Sequence, residues 1–115
     1  MKHLPLILFC ILIIFFIKKK FFDTTNYKAM LDAGGVIIDV RSAEEFMTGN
    51  IENSINIPLM ELSSNLSQLK DKDQSIITCC ASGIRSAGAK KILISKGYKN
   101  VINGGGWNSL RGKLN

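Results

Sequence analysis

Strand-like and helix-like segments alternate along most of this chain, which predicts an α/β domain with a mainly parallel central sheet flanked by helices on both faces. Two short runs, Val-Ile-Ile-Asp-Val at 36–40 and Gln-Ser-Ile-Ile-Thr at 74–78, are nearly continuous in β-branched residues, as in strands buried on both sides. Each is followed by a segment that can start a helix. Glycines at 34–35, 49, 97 and 104–106 punctuate the alternation at its joints.

Taken in order, Thr24 or Thr25 can cap a short helix through Asp32, which Gly34-Gly35 stops before the first strand. Ser42 can cap the next helix, Glu45 three residues on completes a capping box, and Gly49 ends the helix. Residues 51–58 alternate apolar and polar and read as a short strand or extended segment, followed by a helix over 59–69 and a charged turn at 70–73. The strand at 74–78 precedes a helix over 86–96, ended by Gly97. A short strand at 100–102, a glycine turn at 104–106 and a last helix from Trp107 towards Gly112 complete the chain. In open sheets of this kind sites form at the carboxyl ends of strands, where Asp39 and Cys80 fall.

Residues 1–22 differ from the rest, leaving 23–115 as one small domain with room for one active site. The net charge of +6 is uneven: Lys2, Lys18, Lys19 and Lys20 lie in an acid-free leader, so the domain holds eleven basic against nine acidic residues, a net of +2. With no basic stripe interleaved with aromatics, nucleic acid is not an expected partner. The leader carries fourteen residues, 4–17, that are almost all apolar. As a helix they would extend about 21 Å, short of a hydrocarbon core of about 30 Å. Phe15, Phe16, Ile17 and three lysines stand where a cleavage site needs small residues, so an uncleaved single-pass membrane anchor is expected, with the lysine stems snorkelling and Phe21 and Phe22 at the interface. The triple lysine favours the cytoplasmic side for the domain; the periplasmic or extracellular side is the alternative.

Cysteine usage points to thiol chemistry or burial and not to a disulfide framework, since Cys79 and Cys80 are adjacent and Cys10 lies in the leader. Cys80 stands between a strand end and a helix start. There successive backbone N–H groups and the positive end of a helix can surround the sulfur and favour the thiolate. Cys79 should point to the opposite face of the strand and pack. His3 is in the leader, so the domain has no histidine to serve as a base, and activation of Cys80 must rest on backbone electrostatics.

The loop Cys80-Ala81-Ser82-Gly83-Ile84-Arg85-Ser86 resembles the Cys-x-x-Gly-x-Arg-Ser active loop of the rhodanese family of sulfurtransferases. An upstream signature, Asp39-Val40-Arg41, Glu45-Phe46, Gly49, Ile51 and Asn56-Ile57-Pro58-Leu59, is similar to that family's. So is Gly104-Gly105-Gly106 before Trp107. Asn50 departs from a frequent histidine and Asn53 from a frequent small residue, both outside the loop. The resemblance implies a single-domain, rhodanese-like α/β fold and a thiosulfate sulfurtransferase that works in two half-steps. Cys80 would take a sulfane sulfur from a small sulfur-containing anion as a persulfide and pass it to cyanide or a thiol, without metal or organic cofactor. An unidentified protein is a further candidate acceptor.

Within the loop, Gly83 would turn N–H groups inward; Ser82 and Ser86 would either donate to bound sulfur or cap the helix, with capping favoured for Ser86. Arg85 has two roles open to it, holding an anionic donor or bracing the loop against a carboxylate. Asp39 and Arg41 read as supporting residues: Asp39 as an acceptor for loop hydrogen bonds, Arg41 as a partner of Glu44 or Glu45. Trp107 reads as a packing anchor. Two other functions compete. A tethered persulfide carrier or thiol sensor would use the same loop with little turnover. A phosphatase or arsenate reductase would need five residues between cysteine and arginine, where Cys80 and Arg85 are separated by four.

Overall fold

The computed structural model describes residues 25–115; the span expected over 4–17 lies outside them. Among the described residues no helix is long and apolar enough to cross a membrane.

Four parallel strands form one sheet: β1 (Val36–Asp39), β2 (Ile55–Asn56), β3 (Ser75–Cys80) and β4 (Asn100–Gly106), in the order β2-β1-β3-β4. Helices α1 (Tyr27–Asp32), α2 (Ala43–Thr48), α3 (Ile84–Ser95) and α4 (Trp107–Lys113) and a 3-10 helix (Leu59–Ser64) connect or follow them. The expected α/β architecture is therefore present, and its sheet is parallel at every pairing.

The alternation of side chains along β1 and β3 divides the core in two. Ile38, Ile76 and Cys80 pack with Leu62, Ala89 and Leu93 from the 3-10 helix and α3. Ile37, Ile77 and Cys79 pack with Leu110 of α4 and against Tyr27, Met30 and Leu31 of α1. Each fully buried Ile or Leu contributes about 1.5–3 kcal/mol of transfer free energy, so both faces are needed by a domain this small.

Local chemistry sets the boundaries. Asn26, and neither threonine, caps α1, accepting from the Ala29 N–H. The capping box of α2 forms as expected, Ser42 with Glu45, and the helix ends at Gly49. Two expectations, over 59–69 and 104–106, are corrected, and the short strand expected within 51–58 is narrowed. The helix over 59–69 is a 3-10 helix that stops at Ser64, because Ser64 Oγ and Asn65 Nδ2 both bond the Glu61 carbonyl in competition with a continuing helix. The segment 51–58 pairs only at Ile55–Asn56, since Ser54 closes a turn onto Ile51 and the Asn56 side chain crosses to the Asp39 and Arg41 carbonyls. The expected turn at 104–106 is instead the end of β4, which carries an irregularity: Thr78 pairs with Asn103 but Cys80 with Gly106. That extra residue is a bulge, and bulges re-aim side chains next to sites.

Candidate active site

The site lies where β3 gives way to α3. β3 runs through both cysteines, two residues beyond its expected end, so that Cys80 is held by the sheet and its side chain is buried on the α3 face. Ala81, Ser82 and Gly83 then form a tight loop. Gly83 has φ +102°, a left-handed conformation that L side chains rarely adopt, and it turns its N–H back onto Cys80 Sγ at 2.9 Å. The loop also needs Gly106, where a Cβ would lie 2.9 Å from the Ala81 carbonyl oxygen.

Burial pushes the Cys80 thiol up, but hydrogen bonds from the Ser86 side chain and from the backbone N–H groups of Ser86, Gly83 and Ser82 outweigh it, so its pKa lies below 9.0. Cys79 has the opposite fate. Burial, reinforced by the nearby Asp39 carboxylate, raises its pKa to about 12, and it remains a neutral packing group.

Ser86 is not a cap. α3 begins at Ile84 with Gly83 as its N-cap and no side-chain capping bond, so Ser86 lies inside the first turn. Its Oγ is 3.4 Å from Cys80 Sγ and donates to Asn103 Oδ1 at 2.6 Å. Its carbonyl accepts from Thr78 Oγ1 at 2.9 Å. These contacts tie the start of α3 to β3 and β4.

Arg85 braces. Its guanidinium makes a two-pronged pair with Glu45 of α2, at 2.6 and 2.9 Å. That pair, with the capping-box bonds from Ser42, holds the Glu45 carboxyl down at about 2. Glu45 thus serves two elements at once, helping to start α2 and anchoring the loop arginine.

Asp39 and Arg41 pair with each other and not with Glu44 or the Glu45 carboxylate. Arg41 Nη2 meets Asp39 Oδ2 at 2.7 Å, with both side chains buried. The remaining guanidinium donors reach the Glu45 and Gly49 carbonyls, and the group stacks on Trp107 with 4.5 Å to the ring centroid. Asp39 also accepts from the Arg41 N–H at 3.0 Å, as expected of a strand-end aspartate. Arg41 thus fastens α2 to the end of β1. Asn50 donates to the Phe46 carbonyl at 2.9 Å, a local bond at the end of α2.

Two residues escaped the sequence reading. Glu45 was visible as a cap, as part of the upstream signature and as a candidate partner of Arg41, but not as the partner of Arg85, since nothing local marks a partner forty residues away. Asn103 lay unmarked in a strand, although a polar side chain between Ile102 and three glycines is a usable signal. A groove adjoins the loop, lined by Val40, Pro58, Leu59, Met60 and Arg85 among others. Met60 is 96% exposed and Ile84, at the loop, 80%.

A Rhodanese-like domain profile matches residues 23–113. Rhodanese-like domain-containing protein 17 of Arabidopsis thaliana is 35% identical over 94 residues, covering 70% of this chain and 60% of its own length. The thiosulfate sulfurtransferase PspE of Escherichia coli is 37% identical over 70 residues, covering 60% of this chain and 67% of PspE. Among solved structures, a rhodanese with anions from E. coli superposes with a TM-score of 0.62 at 34% identity, covering 65% of this chain and 89% of that one. The chain belongs to the rhodanese-like domain family, and its fold is the rhodanese fold. Several relatives are named thiosulfate sulfurtransferases, which supports sulfur transfer at the level of the family. The chain spans about 60% of the length of the Arabidopsis relative, less than two thirds of it.

Proposed function

We propose that this protein is a sulfurtransferase that carries a sulfane sulfur on Cys80. The observation that supports it most is the convergence on one buried sulfur of the Gly83 N–H and the Ser86 hydroxyl, with a thiol pKa held below its ordinary value. The Cys80 thiolate attacks the outer sulfur of thiosulfate, the S–S bond of the donor breaks, and sulfite leaves with the bonding pair. A thiol or cyanide then attacks the outer sulfur of the persulfide, and Cys80 leaves as thiolate. Neither half-step changes the number of electrons held by the pair of reactants, so no cofactor is called for. Cys80 itself is buried, whereas the neighbouring loop residues Ala81, Ser82 and Ile84 are exposed.

The test is intact mass spectrometry of the full chain after exposure to thiosulfate. One sulfur atom should add to the native protein and to Cys79→Ser, and none to Cys80→Ser. Loading that survives in Cys80→Ser overturns the reading.

A carrier that discharges to a partner protein is the second reading, favoured by exposed Ile84 and Met60 beside the loop and the apolar groove between Pro58 and Arg85. A carrier loads once and turns over poorly with small acceptors, whereas a thiosulfate enzyme cycles with cyanide. A phosphatase has less support, because Arg85 is engaged by Glu45 and is not offered to an oxyanion in the loop. The tether is likewise a proposal: residues 4–17 hold the domain at a membrane, on the cytoplasmic side. Protease digestion of the domain from outside intact cells would reject that orientation.

A further inference from the structure

Asn103 is outside the loop of residues 80–86, yet it closes a ring of hydrogen bonds around Cys80. Its Nδ2 donates to the Gly83 carbonyl at 3.1 Å, while its Oδ1 accepts from the Gly105 N–H at 2.9 Å and from the Ser86 hydroxyl at 2.6 Å. The two backbone partners fix the orientation of the amide, because a carbonyl can only accept and a backbone N–H can only donate. Oδ1 therefore faces Ser86. A serine hydroxyl has one hydrogen, and with an obligate acceptor 2.6 Å away that hydrogen is directed at Asn103. What Ser86 then presents to Cys80 Sγ, 3.4 Å away, is a lone pair. A thiol can donate to it; a thiolate gains from Ser86 only once the hydroxyl has turned to donate to the sulfur.

We propose that Asn103 is a positioning residue that governs the ionisation of Cys80 by holding the single hydroxyl hydrogen of Ser86. The proposal rests on Cys80 being the reacting thiol. With the hydrogen on the Asn103 side the neutral thiol is favoured. On ionisation the Cys80 proton passes to solvent, and the Ser86 hydroxyl rotates about its C–O bond to donate to Sγ. Asn103 Oδ1 keeps its bond from Gly105. When a sulfur atom is bonded to Sγ the negative charge resides on the outer sulfur, and the hydroxyl hydrogen returns to Asn103.

Other charges near Cys80 are already committed. Arg85 of α3 faces the thiol electrostatically but is paired with Glu45 of α2. The Asp39–Arg41 pair at the end of β1 is closed on itself, Cys79 stays neutral on the other face, and β4 brings no ionisable side chain. The hydrogen of Ser86 is thus the adjustable element.

The experiment is a pH titration of the ultraviolet thiolate absorbance of the full chain, each variant referenced to its own Cys80→Ser version so that Cys10 and Cys79 cancel. In Asn103→Ala the freed hydroxyl donates to the thiolate, and ionisation moves to lower pH by about one unit, the value of one hydrogen bond to a charged group. In Asn103→Asp, near-isosteric and so a second variant if the alanine variant fails to fold, the carboxylate keeps the Ser86 hydrogen, gives up the bond to the Gly83 carbonyl and adds charge, and ionisation moves to higher pH. In a Ser86→Ala background Asn103→Ala has no effect. An unchanged or upward titration in Asn103→Ala, a downward one in Asn103→Asp, or the same shift with and without Ser86 overturns the proposal. The titration uses no sulfur donor, so its failure is distinct from a failure of thiosulfate to load Cys80.

Discussion

Cys79 and Cys80 are neighbours in one strand, and the one-residue step between them separates an inert thiol from an activated one. Cys79 faces Ile37, Ile77 and Leu110, where burial and the Asp39 charge raise its pKa to about 12. Cys80 faces α3, where burial is outweighed by donors from Ser82, Gly83 and Ser86. Both are buried, so burial alone does not decide reactivity. What differs is whether backbone turns towards the sulfur, and that depends on a left-handed glycine three residues on.

The largest expected effect breaks the comparison outright: replacing Cys80 by serine abolishes persulfide formation, whereas Cys79→Ser keeps it, as read by the mass of the intact chain. Next is the device that separates the two thiols. Gly83→Ala forces a Cβ into φ +102° and to 3.3 Å from the Gly105 Cα, destabilising the domain by about 1 kcal/mol or more. It also moves the N–H off Cys80. Thermal unfolding checks the first effect; an upward shift of the Cys80 titration checks the second.

Glu45→Gln removes the anchor of Arg85 and leaves the thiol's own donors in place. Sulfur loading should fall a few-fold with little change in the Cys80 titration, since a half-exposed pair positions the loop more than it stabilises the fold. Loss of loading as complete as in Cys80→Ser would mean that Arg85 does chemistry. The Glu45 charge is retained down to about pH 2, so acid loss of activity follows protonation of Cys80 and not of Glu45.

The smallest effect is on stability against pH, and the two thiols contribute with opposite sign. A depressed folded-state pKa, as at Cys80, adds stability above the unfolded thiol's value that is lost as pH falls through the folded value. A raised one, as at Cys79, gives stability fully present below 9.0 and lost as pH climbs towards about 12. Melting curves taken above the ordinary thiol range should therefore fall less steeply for Cys79→Ala than for the native chain.

Much of this was legible along the chain because it is local. Periodicity located all four strands, the capping box at Ser42 and Glu45 formed, and the alternation that sends Cys79 and Cys80 to opposite faces is a property of any strand. The loop residues 80–86 stood out as a unit through their resemblance to a family motif, whereas the start of the following helix, at Ile84 and not Ser86, did not. The 3-10 helix was misread because Ser64 and Asn65 bond their own backbone, a competition that apolar spacing does not display.

By itself, then, the sequence determined the α/β class, the strand carrying the cysteines, and the loop with its glycine turn, since these follow from neighbours a few residues apart. Only the tertiary structure decided who meets whom across the sheet. It gave Arg85 to Glu45, forty positions away, closed Arg41 onto Asp39, and through the pairing of β3 with β4 brought Asn103 to Ser86. Such partners are set by strand order and register, and ion pairs and hydrogen bonds form between groups that packing places within about 3 Å, whatever their separation along the chain.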